Sequence, residues 1–116
     1  MRRLPLALTL GFAFSFSAFA VDPPKDVRTF ETARGPVAFA HTKHLAAGAV
    51  CADCHHTGVQ KKCSTCHGKV AKGKVPRFLD AVHDRTLKHA CLTCHAARVE
   101  AGKKAPLACT ACHPKG

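Results

Sequence analysis

Four short stretches carry the chemistry of this chain. Cys51-Ala52-Asp53-Cys54-His55, Cys63-Ser64-Thr65-Cys66-His67, Cys91-Leu92-Thr93-Cys94-His95 and Cys109-Thr110-Ala111-Cys112-His113 share the pattern C-x-x-C-H and use all 8 cysteines. That pattern is the attachment signature of c-type haem, the two thiols adding to the two vinyl groups as thioethers. On one helical turn positions i, i+3 and i+4 share a face, so the histidine is aimed at the iron that the thioethers fix.

Two other readings of the cysteines compete. Eight residues separate Cys54 from Cys63, a spacing that suits half-sites of a zinc ribbon, and an even cysteine count in a small exported protein suits a disulfide framework. Neither requires a histidine after every pair. With 9 histidines in 116 residues, four such placements by composition alone have odds of roughly one in tens of thousands. Haem is the reading that explains the histidines.

Beyond His55, His67, His95 and His113 the chain has five more histidines: His41, His44, His56, His83 and His89. Four irons with two histidines each need four of these five. His56 follows His55 directly and cannot reach the opposite face of the same iron, so it is expected to serve a neighbouring haem. His41 and His44, three apart, are expected to serve two different haems if they share a helical face. These adjacencies require the haems to lie close together, close enough for fast electron exchange. Methionine ligation is excluded, since the one Met is the initiator.

The elements that must position these groups are short. Val21 to Arg34, with Pro23-Pro24, reads as an extended arm. Pro36 to Ala40 alternates apolar and small residues and reads as a short strand or extended piece. Leu45 to Val50 reads as a short helix or turn. Thr57 to Lys62 connects the first two motifs, and Gly68 to Pro76 reads as a flexible Gly/Lys loop. Helices are expected over Leu79–His83 and, longer, over Leu92–Ala101, with Gly102 as the stop. Lys103 to Leu107, with Pro106, is a linker. The C-x-x-C-H histidines recur at uneven intervals, so the repeat is one of motif and not of a solenoid unit.

Composition points the same way. Residues 1–20 read as a cleaved secretory signal peptide: Arg2 and Arg3, an apolar run to Phe16, then Ala18-Phe19-Ala20 as the cleavage site. The run is too short and too interrupted for a membrane span, so no stable membrane insertion is expected after cleavage. Residues 21–116 form one expected domain. They contain nine Val, five Leu and three Phe, with no Ile, Trp or Tyr. That is below the roughly 20% of large apolar residues at which charged chains tend to disorder. Such a chain needs staples, and covalently held macrocycles would supply them. The fold class expected is a small multihaem cytochrome, mostly short α-helices and loops with a minor N-terminal β element, wrapped around four haems. The formal charge of +11 suggests nucleic acid or anionic membrane, but haem propionates absorb much of it. Without Arg2 and Arg3, and with four ferric haems, the balance is about +5. No nucleic-acid role is expected.

Phe39-Ala40-His41-Thr42-Lys43-His44, the doubled histidine of Cys51 to His56, and Val82-His83-Asp84 together resemble the tetrahaem cytochrome c3 family, the class III cytochromes c. The resemblance covers nearly all of residues 21–116. It implies that His41 completes the haem on Cys51, Cys54 and His55, and His56 the haem on Cys63, Cys66 and His67. It likewise implies that His44 completes the haem on Cys91, Cys94 and His95, and His83 the haem on Cys109, Cys112 and His113. It further implies four non-parallel haems in a loop-rich, partly helical shell with a short N-terminal β hairpin. The chain departs from many members in having C-x-x-C-H at all four sites, where they have longer cysteine spacing at the second and fourth. His89 is surplus, an exposed histidine or a rival to His83 at the last haem.

The function expected is a periplasmic electron carrier, not an enzyme. Two axial histidines leave no open iron, and His/His ligation lowers the potential relative to His/Met. The resemblance implies exchange with hydrogenase or formate dehydrogenase and with membrane-associated multihaem cytochromes in anaerobic respiration. Docking is expected beside the last haem, at Lys103, Lys104, Lys115 and Arg98, over the lysines around the second (Lys61, Lys62, Lys69, Lys72 and Lys74). The alternative is a small haem reductase with one labile axial position. Nothing resembles a hydrolase triad or a phosphate-binding glycine loop.

Overall fold

The structure, a computed structural model, describes residues 22–58 and 61–114. The expected signal peptide, Lys115 and part of the connector between the first two motifs lie outside these residues.

Two strands open the fold, β1 (Val27–Phe30) and β2 (Val37–Ala40), antiparallel with Val27 opposite Ala40 and Phe30 opposite Val37. The arm, merely extended by its own residues, is paired over its second half and forms the N-terminal hairpin that the resemblance implied. The period-2 rule places Arg28, Phe30, Val37 and Phe39 on one face of the ribbon. There the Phe30 and Phe39 rings meet edge to face at 6.2 Å, and Phe78 adds a third ring 6.1 Å from Phe30. The turn between the strands is tied by Thr32, whose hydroxyl donates to the Gly35 carbonyl at 2.7 Å and accepts from the Arg34 amide at 3.2 Å. Gly35 has φ +96°, and a Cβ there would come within 3.2 Å of the Pro114 carbonyl. Only glycine lets the chain turn left-handed this close to the C-terminal segment.

Helix α1 (His41–Ala46) follows β2 without a break. It starts at His41, four residues before the helix or turn read from Leu45. Its end is a Schellman motif, with Gly48 donating to Leu45 and Ala49 to His44. Next come the single turn α2 (Cys51–Cys54) and a 3-10 turn over Cys63–Thr65. In the Gly/Lys loop, Lys72 and Val75 exchange both backbone hydrogen bonds around Gly73, at 3.0 and 2.9 Å. The segment read as flexible thus holds a tight turn. Helices α3 (Phe78–His83) and α4 (Cys91–Glu100) fall within one residue of expectation, and Gly102 ends α4 in a second Schellman motif. The last motif forms the single turn α5 (Cys109–Cys112).

Among the described residues Ala90 is the one buried hydrophobic, at 2% exposure. Val50, Val70 and Leu79 stand more than half exposed. No described helix is long and apolar enough to cross a membrane.

Candidate haem sites

Each C-x-x-C-H segment is built the same way from backbone hydrogen bonds. The amides of His55, His67 and His113 close a turn onto the carbonyls of Cys51, Cys63 and Cys109 at 2.7, 2.9 and 2.8 Å, and Cys91 to His95 is the first turn of α4. Val50 donates its amide to the Asp53 carboxylate at 2.8 Å, starting the first motif. None of the eight cysteines is in a disulfide, and seven are exposed. The thiols of Cys54 and Cys91 are nonetheless pushed up, Cys91 to about 11, by burial first, with repulsion from charged neighbours, other cysteines among them, adding to it. The crowding is local to sulfurs on residues otherwise open to solvent. Among the described residues, no group of three or more His, Cys, Asp or Glu side chains converges as a metal-holding cluster.

Histidines from distant segments face one another in pairs. Ring centroids lie 6.2 Å apart for His44 and His95, 6.1 Å for His83 and His113, and 6.0 Å for His56 and His67. A metal–nitrogen bond of about 2 Å on either side, plus about 1 Å from each nitrogen to its ring centre, separates two trans imidazoles by about 6 Å. The spacing fits an iron between each pair. No ring contact joins His41 to His55 among the described residues. His41 instead packs edge-on against Phe39 at 4.9 Å, and its buried Nδ1 has no hydrogen-bond partner among the described residues.

The protein sets the tautomer of most of these rings. Nδ1–H of His44, His67, His83 and His95 donates to the carbonyls of Ala40, Pro76, Leu79 and Pro106 at 2.8–2.9 Å. A carbonyl only accepts, so the proton sits on Nδ1 and the lone pair on Nε2, the nitrogen left for a metal. His113 uses the Thr32 hydroxyl instead, at 3.3 Å. That hydroxyl spends its own proton on Gly35, so it too can only accept from His113. Phe39 stacks on His44 at 4.2 Å. His56 is pushed below its ordinary pKa by desolvation first, then by His89 and His67. The ninth histidine, His89, lies against His56 at 4.8 Å with its Nδ1 donating to the Asp53 carbonyl at 2.9 Å. It makes no ring contact with His113 among the described residues.

Sequence reasoning did not single out Thr32, Phe39 as a stacking partner, or the Pro76 and Pro106 carbonyls. Of these only Thr32 left a signal, a Thr-x-x-Gly turn between two short extended runs.

Paired imidazoles, solvent-facing cysteine turns and an almost absent side-chain core define a small multihaem cytochrome. Comparison with known proteins agrees. A family model described as the Class III cytochrome C family matches residues 16–113. The chain belongs to the class III cytochrome c family. It is 35% identical over 107 residues to a cytochrome c3 of Desulfovibrio desulfuricans, covering 82% of this chain and 99% of that one. It is 32% identical over 94 residues to a high-molecular-weight cytochrome c of Nitratidesulfovibrio vulgaris, covering 78% of this chain but 16% of that protein. Among solved structures, the di-tetraheme cytochrome c3 of Desulfovibrio gigas superposes with a TM-score of 0.62 at 28% identity, covering 80% of this chain and 98% of that one. The family binds haem c, the eight cysteines fit four covalently bound haems, and the chain is a multihaem electron carrier.

Proposed function

We propose that this protein is a low-potential periplasmic carrier that holds four haems between paired histidines. In this reading it moves electrons between redox enzymes, of the hydrogenase or formate dehydrogenase kind, and membrane-associated multihaem cytochromes. The observation that carries the reading is the spacing of 6.0–6.2 Å in three histidine pairs drawn from separate segments. The haems supply one-electron redox chemistry. The chain's part is to fill both axial positions, fix the ring tautomers and set the potentials through the groups that accept from Nδ1. Filled axial positions leave the irons closed to substrate, which suits a carrier. The basic charge left after the propionates are counted suits steering toward an acidic partner.

A second reading has one observation in its favour. Among the described residues no histidine ring contacts His55, and His41 packs against Phe39 instead, so a labile position, and with it a small haem reductase, would belong at the first haem. Visible spectra of the holoprotein separate the two: oxidised, dithionite-reduced, and reduced under carbon monoxide. A low-spin reduced spectrum untouched by carbon monoxide is the expected result. A shift amounting to one haem in four would move the reductase ahead.

A further inference from the structure

His89 is the histidine that the ligand pairs leave over, and it is not free. Its ring lies almost parallel to that of His56, with centroids 4.8 Å apart and planes 17° from each other. Its Nδ1–H donates to the Asp53 carbonyl across 36 residues of sequence, at 2.9 Å. An exposed side chain held at both its edge and its face has lost rotamer freedom that solvent would otherwise grant it. Both anchors lie in the Cys51–His56 stretch: Asp53 stands between Cys51 and Cys54, and His56, just after that motif, faces His67 of the second one. His89 itself precedes Cys91 by two residues.

We infer that His89 is a positioning residue for the haem on Cys63 and Cys66: tied to the Asp53 carbonyl, its ring fixes the plane in which His56 stands opposite His67. This rests on the reading above that His56 is an axial ligand. The His56 and His67 planes are 50° apart, against 19° and 15° in the pairs His44–His95 and His83–His113. The pair that His89 leans on is thus the twisted one. An axial ring turned out of line with its partner changes the overlap of both rings with the iron orbitals, so the twist is a spectroscopic property of that single haem.

The test is electron paramagnetic resonance of the ferric holoprotein, followed by carbon monoxide exposure of the dithionite-reduced form, with His89→Ala, His89→Phe and His56→Ala beside the unsubstituted chain. His89→Ala should shift the low-spin signal of one haem, leave three in place and keep all four closed to carbon monoxide. His89→Phe keeps a ring to stack but not the carbonyl tie, and should shift that signal less. Unchanged signals in both His89 variants would overturn the inference, as would a carbon monoxide-binding haem in His89→Ala that the unsubstituted chain lacks, which would make His89 a ligand. His56→Ala should open one haem to carbon monoxide. If it does not, the axial reading of His56 has failed, and the inference falls with it for that separate reason.

Discussion

Thr32 shows how much one side chain can decide here. Four of the paired histidines donate Nδ1–H to backbone carbonyls, which no substitution removes. His113 donates to a hydroxyl, which a substitution does remove. A ring that loses its acceptor becomes a poorer donor to iron and stabilises the ferric state less. Thr32→Val should therefore raise the potential of the haem on Cys109 and Cys112 alone, as read by a redox titration that resolves the four haems. Thr32→Ser should leave it in place. The lost hydrogen bond should also cost about 1 kcal/mol of stability. His83→Ala should give high-spin character at one haem, since the His83 ring is the one facing His113.

Short elements with few packed neighbours depend on their ends. Gly48 and Gly102 end α1 and α4 at φ of +91° and +71° with open space around them. Alanine at either should cost about 1 kcal/mol from backbone strain alone. Gly35→Ala adds contact with the Pro114 carbonyl at 3.2 Å and should lower the melting temperature of the holoprotein more than the other two. Behind α3, Asp84 accepts from the Thr86 hydroxyl and amide, and these bonds hold its carboxyl below the usual range. A depressed carboxyl adds stability above its ordinary pKa and loses it as pH falls through the lowered one. The protection of the Thr86 amide, its exchange rate relative to that of the unstructured chain at the same pH, should accordingly hold at neutral pH and be lost only in strong acid. Arg98 donates from α4 to the Ala47 carbonyl at the end of α1, at 2.8 Å, linking the helices that bear His95 and His44.

For the whole molecule the governing fact is one buried hydrophobic residue among those described. Hydrophobic stabilisation scales with apolar area removed from water, and side chains alone remove little here. The chain made without haem attachment, as with all eight cysteines changed to alanine, should show no cooperative thermal transition and rapid proteolysis. Legibility divides along the same line. The C-x-x-C-H turns, the α3 and α4 boundaries and the Gly102 stop were readable because each depends on contacts within about one helical turn. The turn at Lys72–Val75 and the start of α1 at His41 were not, and the pairing of Val27–Phe30 with β2 was implied by family resemblance alone, because an arm or loop of mixed polarity carries no periodicity to mark them.

What the amino-acid sequence determined by itself is the chemistry: four attachment turns, five further histidines and too little apolar mass to fold without cofactors. Each of these is a matter of residue type and local spacing. Tertiary structure alone decided that Thr32 holds His113, that no histidine ring among the described residues contacts His55, and that His89 leans on His56. The facing of His44 with His95, His56 with His67 and His83 with His113 was implied by family resemblance and not by local spacing. Those are encounters between segments as many as 81 residues apart. They depend on where short elements come to rest, which no local pattern encodes.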